Sequence, residues 1–218
     1  MVIVIGVDIG QVRDFSALVV AELEGDRFVI RHVERVRLGT AYPQVADRIR
    51  QVYEGAVEQI APEVGRHHLL PPGQALEKAK ESVFIRVDMT GVGRGIFDLV
   101  RERLGPVNLT GVSLTSGEKC SVGVRAKEGT CSKLYLVSRL QALIATGRIV
   151  LPETEEARAL AQELLDFELR VTSDASLTFG AFRTGQHDDL VVALGLACLL
   201  DSDKYRPRVA TTISRWAR

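Results

Sequence analysis

Cysteine is scarce in this sequence of 218 residues, which contains only Cys120, Cys131 and Cys198. The number is odd and no two of them form a C-x-x-C pair, so the pattern indicates neither a disulfide framework nor a zinc site. Such cysteine usage is typical of a reducing compartment.

Long apolar segments are missing as well. No stretch approaches the length of a membrane span, and the apolar run at the N-terminus is too short for the core of a signal peptide. We therefore expect a soluble, cytoplasmic protein with no membrane partner.

The chain also lacks a surplus of charge of either sign, since 28 Lys and Arg balance 28 Asp and Glu. Overall charge gives no argument for a nucleic-acid partner, and any basic surface must be local. Residues 204–218 are one such place, with five basic side chains and no acidic one. We interpret them as a solvated tail rather than as an arm that contacts phosphate.

The hydrophobic content, 46% of the residues, is enough for one core, and we expect one domain over residues 1–203 ahead of the basic tail. The first strands should form an antiparallel meander. After the first strand, the periodicity predicts strands at 15–23 and 27–36, a helix at 42–60, an irregular connection at 62–80, a helix at 96–104, a strand at 108–114, helices at 131–145 and 153–167, and a hairpin at 169–171 and 177–182.

Two buried strand patterns each end in an aspartate. Residues 2–7 are apolar and mostly β-branched and precede Asp8, while residues 83–87 repeat the pattern before Asp88 and a glycine-rich turn. A carboxylate that leaves a core strand is costly unless it is paired or binds a cation. The alternative is a simple turn, shaped in the first case by Gly10 and Asp14.

A third acidic element is the segment Gln186-His187-Asp188-Asp189, which precedes an apolar helix. A helix N-terminus stabilises negative charge, so capping accounts for one of the two carboxylates. The second carboxylate is then free to point toward the edge of the sheet.

Residues 115–130 form a polar, glycine-containing stretch that carries Lys119, Arg125 and Lys127. We interpret it as a loop or hairpin that projects from the core. A flexible surface loop is slightly favoured over a basic finger that contacts a phosphate backbone.

Together with Lys133, which opens a long helix, and with the HDDL-x-x-AL motif that begins at His187, these aspartates resemble the nuclease domain of phage terminase large subunits. The resemblance covers the chain from Val2 to about Leu200. It implies an RNase H-like α/β fold of the retroviral-integrase type, with a mixed central sheet flanked by helices. The first three strands of that sheet are antiparallel and the later ones parallel.

The same resemblance implies a DNA endonuclease that uses two divalent cations, Mg²⁺ or Mn²⁺, held by clustered carboxylates. The implied metal ligands and catalytic residues are Asp8, Asp88, Asp188 and Asp189. The implied auxiliary residues are Asp14, His187 and Lys133, and the proposed DNA contacts are Lys119, Arg125 and Lys127.

The adjacent pair offers a finer choice, because neighbouring side chains on a helix diverge by roughly 100°. Asp189 shares the i, i+4, i+8 row with Ala193 and Ala197, whose small side chains permit close approach to the sheet that carries Asp8. We therefore expect Asp189 to be a direct metal ligand and Asp188 a secondary one.

The sequence departs from terminase large subunits in one respect, since it contains no G-x-x-x-x-G-K-[ST] phosphate loop. We expect the partners to be double-stranded DNA and an ATPase motor domain and other packaging proteins, supplied separately. The setting would be the host bacterial cytoplasm if the chain is viral or prophage-encoded.

Three alternatives stay open. A Holliday-junction resolvase of the RuvC type shares the strand-end acids and the acidic C-terminal helix. Sugar kinases and actin-like ATPases open with a similar strand, but Gln11 and Val12 stand here where a hydroxyl residue is expected. A non-catalytic DNA-binding module is the third, and the presence of every acid argues against it.

Overall fold

The computed structural model describes residues 1–10, 14–91, 93–173 and 188–200, with side chains described up to residue 166 and from residue 188 onward. The strands are β1 (Ile3–Asp8), β2 (Ala17–Glu24), β3 (Arg27–Arg35), β4 (Val83–Asp88), β5 (Asn108–Thr115), β6 (Cys120–Ser121), β7 (Glu128–Ser132) and β8 (Ile149–Val150). The helices are α1 (Tyr42–His68), α2 (Pro72–Lys80), α3 (Gly93–Leu104), α4 (Lys133–Ala145), α5 (Glu155–Ser173) and α6 (Asp189–Ala197).

These strands form one mixed sheet in the order β6-β7-β5-β4-β1-β2-β3-β8. Strand β2 is antiparallel to both β1 and β3, and Gly25, with φ of 64°, makes the turn between β2 and β3. Strand β1 is parallel to β4, and β4 to β5, while β5 is parallel to β7. The predicted mixed α/β sheet, antiparallel first and parallel afterwards, is confirmed.

The directions of the strands bring several of their ends to one edge of the sheet. Strands β1, β4, β5 and β7 all end there, and so does β3, because it runs antiparallel to β2. Val7 pairs with Val87, so Asp8 and Asp88 end neighbouring strands side by side. On the other side of β1, Asp8 pairs with Ala17, which in turn pairs with Arg35.

Helices cover both faces of the sheet. Helices α1, α2 and α3 pack over one core, and α4, α5 and α6 pack over the other. Helix α6 is apolar on all sides and buried along its whole length, which explains its place against the central strands β1 and β2.

Helix α6 approaches β1 closely at Gly6. A Cβ atom on Gly6 would lie 1.9 Å from the carbonyl oxygen of Ala193 and 2.5 Å from the backbone nitrogen of Ala197. The predicted close approach of the Ala193 and Ala197 row to the strand that carries Asp8 is confirmed. It requires glycine in the strand as well as alanine in the helix.

The predicted irregular connection at 62–80 is wrong. Helix α1 continues through Pro62 to His68, and α2 follows from Pro72 to Lys80. The buried stripe of α1 extends beyond the proline through Val64 and Gly65, so packing outweighs the local helix-breaking signal.

Other expectations shift in smaller ways. Residues 169–171, predicted as a strand, belong to helix α5, and their predicted partner at 177–182 lies outside the described residues. Of the loop or hairpin predicted at 115–130, the structure has the hairpin, formed by the short antiparallel strands β6 and β7. The tail at 204–218 is also outside the described residues, so the domain boundary at 203 stays a prediction.

Among the described helices, none is both long and apolar enough to cross a membrane.

Candidate active site

Four carboxylates from three separate segments surround the end of β1. Asp8 and Asp88 end β1 and β4, Asp188 is the N-cap residue of α6, and Asp189 is its first residue. Side chains alternate along a strand, so Asp8 faces the same side as Gly6, the side on which α6 packs. The backbone contact at Gly6 therefore places the start of α6 beside Asp8.

Asp8 is the centre of this group. Burial raises the pKa of its carboxyl group well above the usual range, and the negative charges of Asp88, Asp189 and Asp188 raise the pKa further, in that order. The positive charge of Lys133 opposes them and is the weakest of these influences. The ionised form of Asp8 is thus unfavourable unless a cation joins the group.

Asp88 is held by a neighbour two residues away. The backbone N–H and the hydroxyl of Thr90 both donate to Oδ1 of Asp88, at 2.7 and 2.6 Å. The Thr90 hydroxyl oxygen in turn accepts a hydrogen bond of 2.9 Å from the backbone N–H of Leu114 in β5. Burial raises the pKa of Asp88 although the Thr90 hydrogen bonds and Lys133 act to lower it. Thr90 therefore fixes the orientation of this carboxylate.

Lys133 supplies positive charge on the other side of the group. It is the first residue of α4, whose N-cap is Ser132, where the side-chain oxygen accepts a hydrogen bond from the N–H of Tyr135. The Nζ atom of Lys133 lies 3.8 Å from Oδ2 of Asp188. The structure therefore brings Lys133 to the carboxylates, as the sequence motif indicates.

Asp189 is buried and lies next to Arg35. The Nε atom of Arg35, at the end of β3, is 3.9 Å from Oδ2 of Asp189, and the Arg35 guanidinium also contacts Glu163 of α5. Glu163 accepts a hydrogen bond of 3.2 Å from the backbone N–H of Leu190, so it caps α6 from outside the helix. Asp188 makes no side-chain capping bond, and the expected capping role does not hold for it.

Sequence reasoning missed three residues of this arrangement: Arg35, Thr90 and Glu163. Arg35 could have been located by counting paired residues of β2 and β3 outward from the turn at Gly25. A register shift between Val20 and Ala21 complicates that count. The D-x-T spacing was the available signal for Thr90. Glu163 had no signal, because its place depends on how α5 packs against α6.

The two remaining predicted site residues are Asp14 and His187. Asp14 lines a cleft of about 220 Å³ between the β1–β2 connection and the start of α1. His187 lies outside the described residues.

The three proposed DNA contacts are exposed but spread along the sheet. Lys119 lies at the carboxylate edge, where its carbonyl accepts a hydrogen bond of 2.9 Å from the N–H of Ser132. Arg125 lies at the opposite edge, because its guanidinium reaches the carbonyl of Glu81, just before β4 begins, at 3.5 Å. Counted along β4 from Glu81 to Asp88 at about 3.3 Å per residue, the Arg125 guanidinium lies roughly 20 Å from the level of Asp88. Lys127 lies between them.

The four carboxylates suit a hard divalent cation such as Mg²⁺ or Mn²⁺, which prefers oxygen ligands. As the described side chains stand, no three His, Cys, Asp or Glu residues converge closely enough to hold one ion. Burial and the negative charges of the other three aspartates raise the pKa of Asp8, and a bound cation would offset that cost. The donor set therefore fits the metal.

Fold and site together define an RNase H-like α/β domain with carboxylates gathered at one edge of its central sheet. The chain belongs to the family of terminase RNase H-like domains, whose model matches residues 5–200. This membership supports a nuclease function.

Solved structures share the fold. The large terminase nuclease from thermophilic phage G20c is 20% identical, with a TM-score of 0.50 over 90% of this chain and 80% of that one. The same nuclease with bound magnesium is 21% identical, with a TM-score of 0.51 over 90% of this chain and 79% of that one. A comparison with curated protein sequences gives no match.

Proposed function

We propose that this protein is a metal-dependent endonuclease that hydrolyses DNA phosphodiester bonds by a two-metal-ion mechanism, as the nuclease of a viral DNA-packaging terminase. The observation that carries the proposal is the placement of Asp8, Asp88, Asp188 and Asp189, from three segments, around the end of β1, at a cost in burial and repulsion that a structural role does not explain. Family membership and the magnesium bound to the G20c nuclease support it.

The ligands are assigned by position. Asp8, at the centre, would hold the cations together with Asp88 on one side and the Asp188 and Asp189 pair on the other. Bound cations would supply a hydroxide nucleophile at neutral pH and stabilise charge on the leaving 3′ oxygen. Lys133 adds positive charge beside Asp188, where a phosphate oxygen of the substrate would be attracted.

The neighbouring residues hold these ligands in place. Thr90 fixes Asp88 through two hydrogen bonds to one oxygen. Arg35 accompanies Asp189, and Glu163 secures the first turn of α6. Rigid support of this kind limits the reorganisation needed when substrate binds.

The different burial of the two adjacent aspartates supports different roles for them in metal binding. The side chain of Asp189 is 7% exposed, whereas that of Asp188 is 23% exposed and lies beside Lys133. We expect Asp189→Ala to abolish cleavage at every Mn²⁺ concentration and Asp188→Ala to be partly rescued by excess Mn²⁺. Cleavage assays across a Mn²⁺ series measure both. Rescue of Asp189→Ala but not of Asp188→Ala would reverse the assignment.

The substrate we propose is double-stranded DNA, cut with little sequence preference. Lys119, Arg125 and Lys127 are exposed from the carboxylate edge to the opposite edge of the sheet, where they can contact a phosphate backbone but do not form a base-reading helix. We further propose that an ATPase motor domain and other packaging proteins act with this domain and deliver the DNA in the bacterial cytoplasm.

The test is incubation of supercoiled plasmid with the protein and Mg²⁺ or Mn²⁺, with and without EDTA. We expect nicked and linear products that disappear with EDTA. A parallel arm with a four-way junction separates the resolvase alternative, which predicts paired cuts in the junction and little cutting of the plasmid. No cleavage of either substrate with either metal would overturn the proposal.

A further inference from the structure

The two cysteines nearest the carboxylate edge face each other across neighbouring strands. Cys120 of β6 pairs directly with Cys131 of β7 in antiparallel register. Residues directly opposite on such strands project to the same side, and both cysteines contact the core beneath α4 and α6. Neither residue has a part in the proposed hydrolysis.

The backbone hydrogen bonds identify the geometry of this pair. The adjacent pair, Lys119 and Ser132, is hydrogen-bonded, since the N–H of Ser132 donates to the carbonyl of Lys119 at 2.9 Å. Because hydrogen-bonded and non-hydrogen-bonded pairs alternate, Cys120 and Cys131 form a non-hydrogen-bonded pair, with Cα atoms about 4.5 Å apart. That separation is inside the range that a disulfide spans, about 4.4–6.8 Å.

The chemistry of the two thiols differs. Cys120 is partly exposed, whereas Cys131 is fully buried. Hydrogen bonding with the Cys131 side chain lowers the pKa of Cys120, and the positive charges of Arg86 and Arg139 lower it further, although burial opposes them. The neighbouring Cys120 and burial raise the pKa of Cys131. An accessible thiol with a buried thiol at its side is the arrangement of an attacking and a resolving cysteine.

We propose that Cys120 and Cys131 form a reversible disulfide, a modification site that closes β6 onto β7 when the protein meets a hydroperoxide. The Cys120 thiolate attacks one peroxide oxygen, the O–O bond breaks, and hydroxide leaves, which gives a sulfenic acid on Cys120. The Cys131 sulfur then attacks the Cys120 sulfur, the S–O bond breaks, and hydroxide leaves with the proton of the Cys131 thiol. Two thiols are oxidised by two electrons and hydrogen peroxide becomes two waters.

The bond would strengthen a short outer ladder of the sheet near the carboxylate edge. Strand β6 has only two residues, and its described ladder consists of the pairs with Cys131 and Thr130. Lys119 precedes Cys120, and Lys133 follows Ser132, so the bridge would fix both lysine-bearing segments to each other. Closing the loop of residues 121–130 covalently restricts the unfolded chain as well.

The test uses the full chain treated with hydrogen peroxide and then alkylated with N-ethylmaleimide in denaturant. Before oxidation, three free cysteines should take three adducts. After oxidation, we expect a single adduct, on Cys198, with the loss of two hydrogens and a cross-linked peptide pair containing Cys120 and Cys131. Dithiothreitol should restore three adducts, and the oxidised form should unfold at a higher temperature than the reduced form.

Two variants serve as controls. Cys198→Ala should keep the bridge and show no adduct after oxidation. Cys120→Ser should retain both remaining thiols under the same treatment. The inference would be overturned if the folded protein still took three adducts after an exposure that oxidises the unfolded chain. A bridge that includes Cys198, a sulfinic acid on Cys120 or a lowered unfolding temperature would also overturn it. All of these readings are independent of nuclease activity.

Discussion

The two faces of the central sheet are built in different ways. On the α1 face, long side chains such as Ile49, Tyr53 and Ile60 fill the space between helix and sheet. On the α6 face, the helix backbone itself lies against β1, where Gly6 leaves no room for a Cβ atom. Side-chain packing on the first face can adjust, whereas contact between backbones on the second cannot.

The difference shows what each face contributes. On the α6 face, the packing of the helix places its first residues beside the end of β1, so Asp188 and Asp189 lie near Asp8 and Asp88. The α1 face carries no part of that group and supplies stability to the strands beneath it. A substitution of one carbon should therefore affect DNA cleavage on the α6 face and only stability on the α1 face.

The largest effect is expected from the charge at the centre of the α6 face. Asp8→Asn removes the carboxylate that the other three surround, and we expect plasmid cleavage with Mg²⁺ or Mn²⁺ to fall by a factor of about 10³ or more. Asp47→Asn, at a half-buried position of α1 where the aspartate pairs with Arg103 of α3, is the matched control and should cleave as the wild type does. Comparable rates for Asp8→Asn and wild type would remove Asp8 from the site.

One added carbon on the α6 face should be the next most damaging change. In Gly6→Ala, the new methyl group meets the Ala193 carbonyl, so α6 must move away from β1. We expect a loss of about 3 kcal/mol in the free energy of unfolding, measured by urea denaturation, and reduced cleavage by the folded protein. Unchanged stability and activity would show that the close approach is not required.

One carbon removed from the α1 face is the matching change. Ile49 is fully buried in α1, and Ile49→Val should lower the free energy of unfolding by about 1 kcal/mol. Cleavage per folded molecule should stay at the wild-type level. A loss of activity as large as that of Gly6→Ala would contradict the division of roles between the faces.

The smallest expected effect concerns a polar link on the α1 face. The side-chain hydrogen bond with His32, followed by the bonds from Arg48 of α1, lowers the pKa of Glu34 from 4.5 to about 2. A carboxyl group with a depressed pKa stabilises the fold above its unfolded value, and this contribution is lost as pH falls from 4.5 toward 2.

Glu34→Gln should therefore flatten the loss of stability in that window. The measurement is the free energy of unfolding at several pH values from 5 to 2 for both proteins. Arg48 stays in place in the variant, so the comparison isolates the titration of Glu34. Parallel curves would show that Glu34 does not couple to folding.

Particular residues show what the sequence could and could not predict. Asp8 and Asp88 were visible as strand-end acids, because apolar β-branched runs identify buried strands, and strand direction then brings their ends together. Arg35 and Glu163 reach the site through register and through packing between helices, neither of which has a local signature. Pro62 misled the prediction of α1, because a buried stripe that continues past a proline can keep a helix intact.

If the four carboxylates bind metal, the stability that the fold loses by holding them together should return when a cation binds. The measurement is thermal unfolding of wild type and Asp8→Asn, each with and without millimolar Mn²⁺. Without metal, the variant should unfold at the higher temperature, because burial and three neighbouring charges disfavour the ionised Asp8. With Mn²⁺, the wild type should gain stability and the variant should not. An equal gain in both proteins, or a less stable variant without metal, would contradict this expectation.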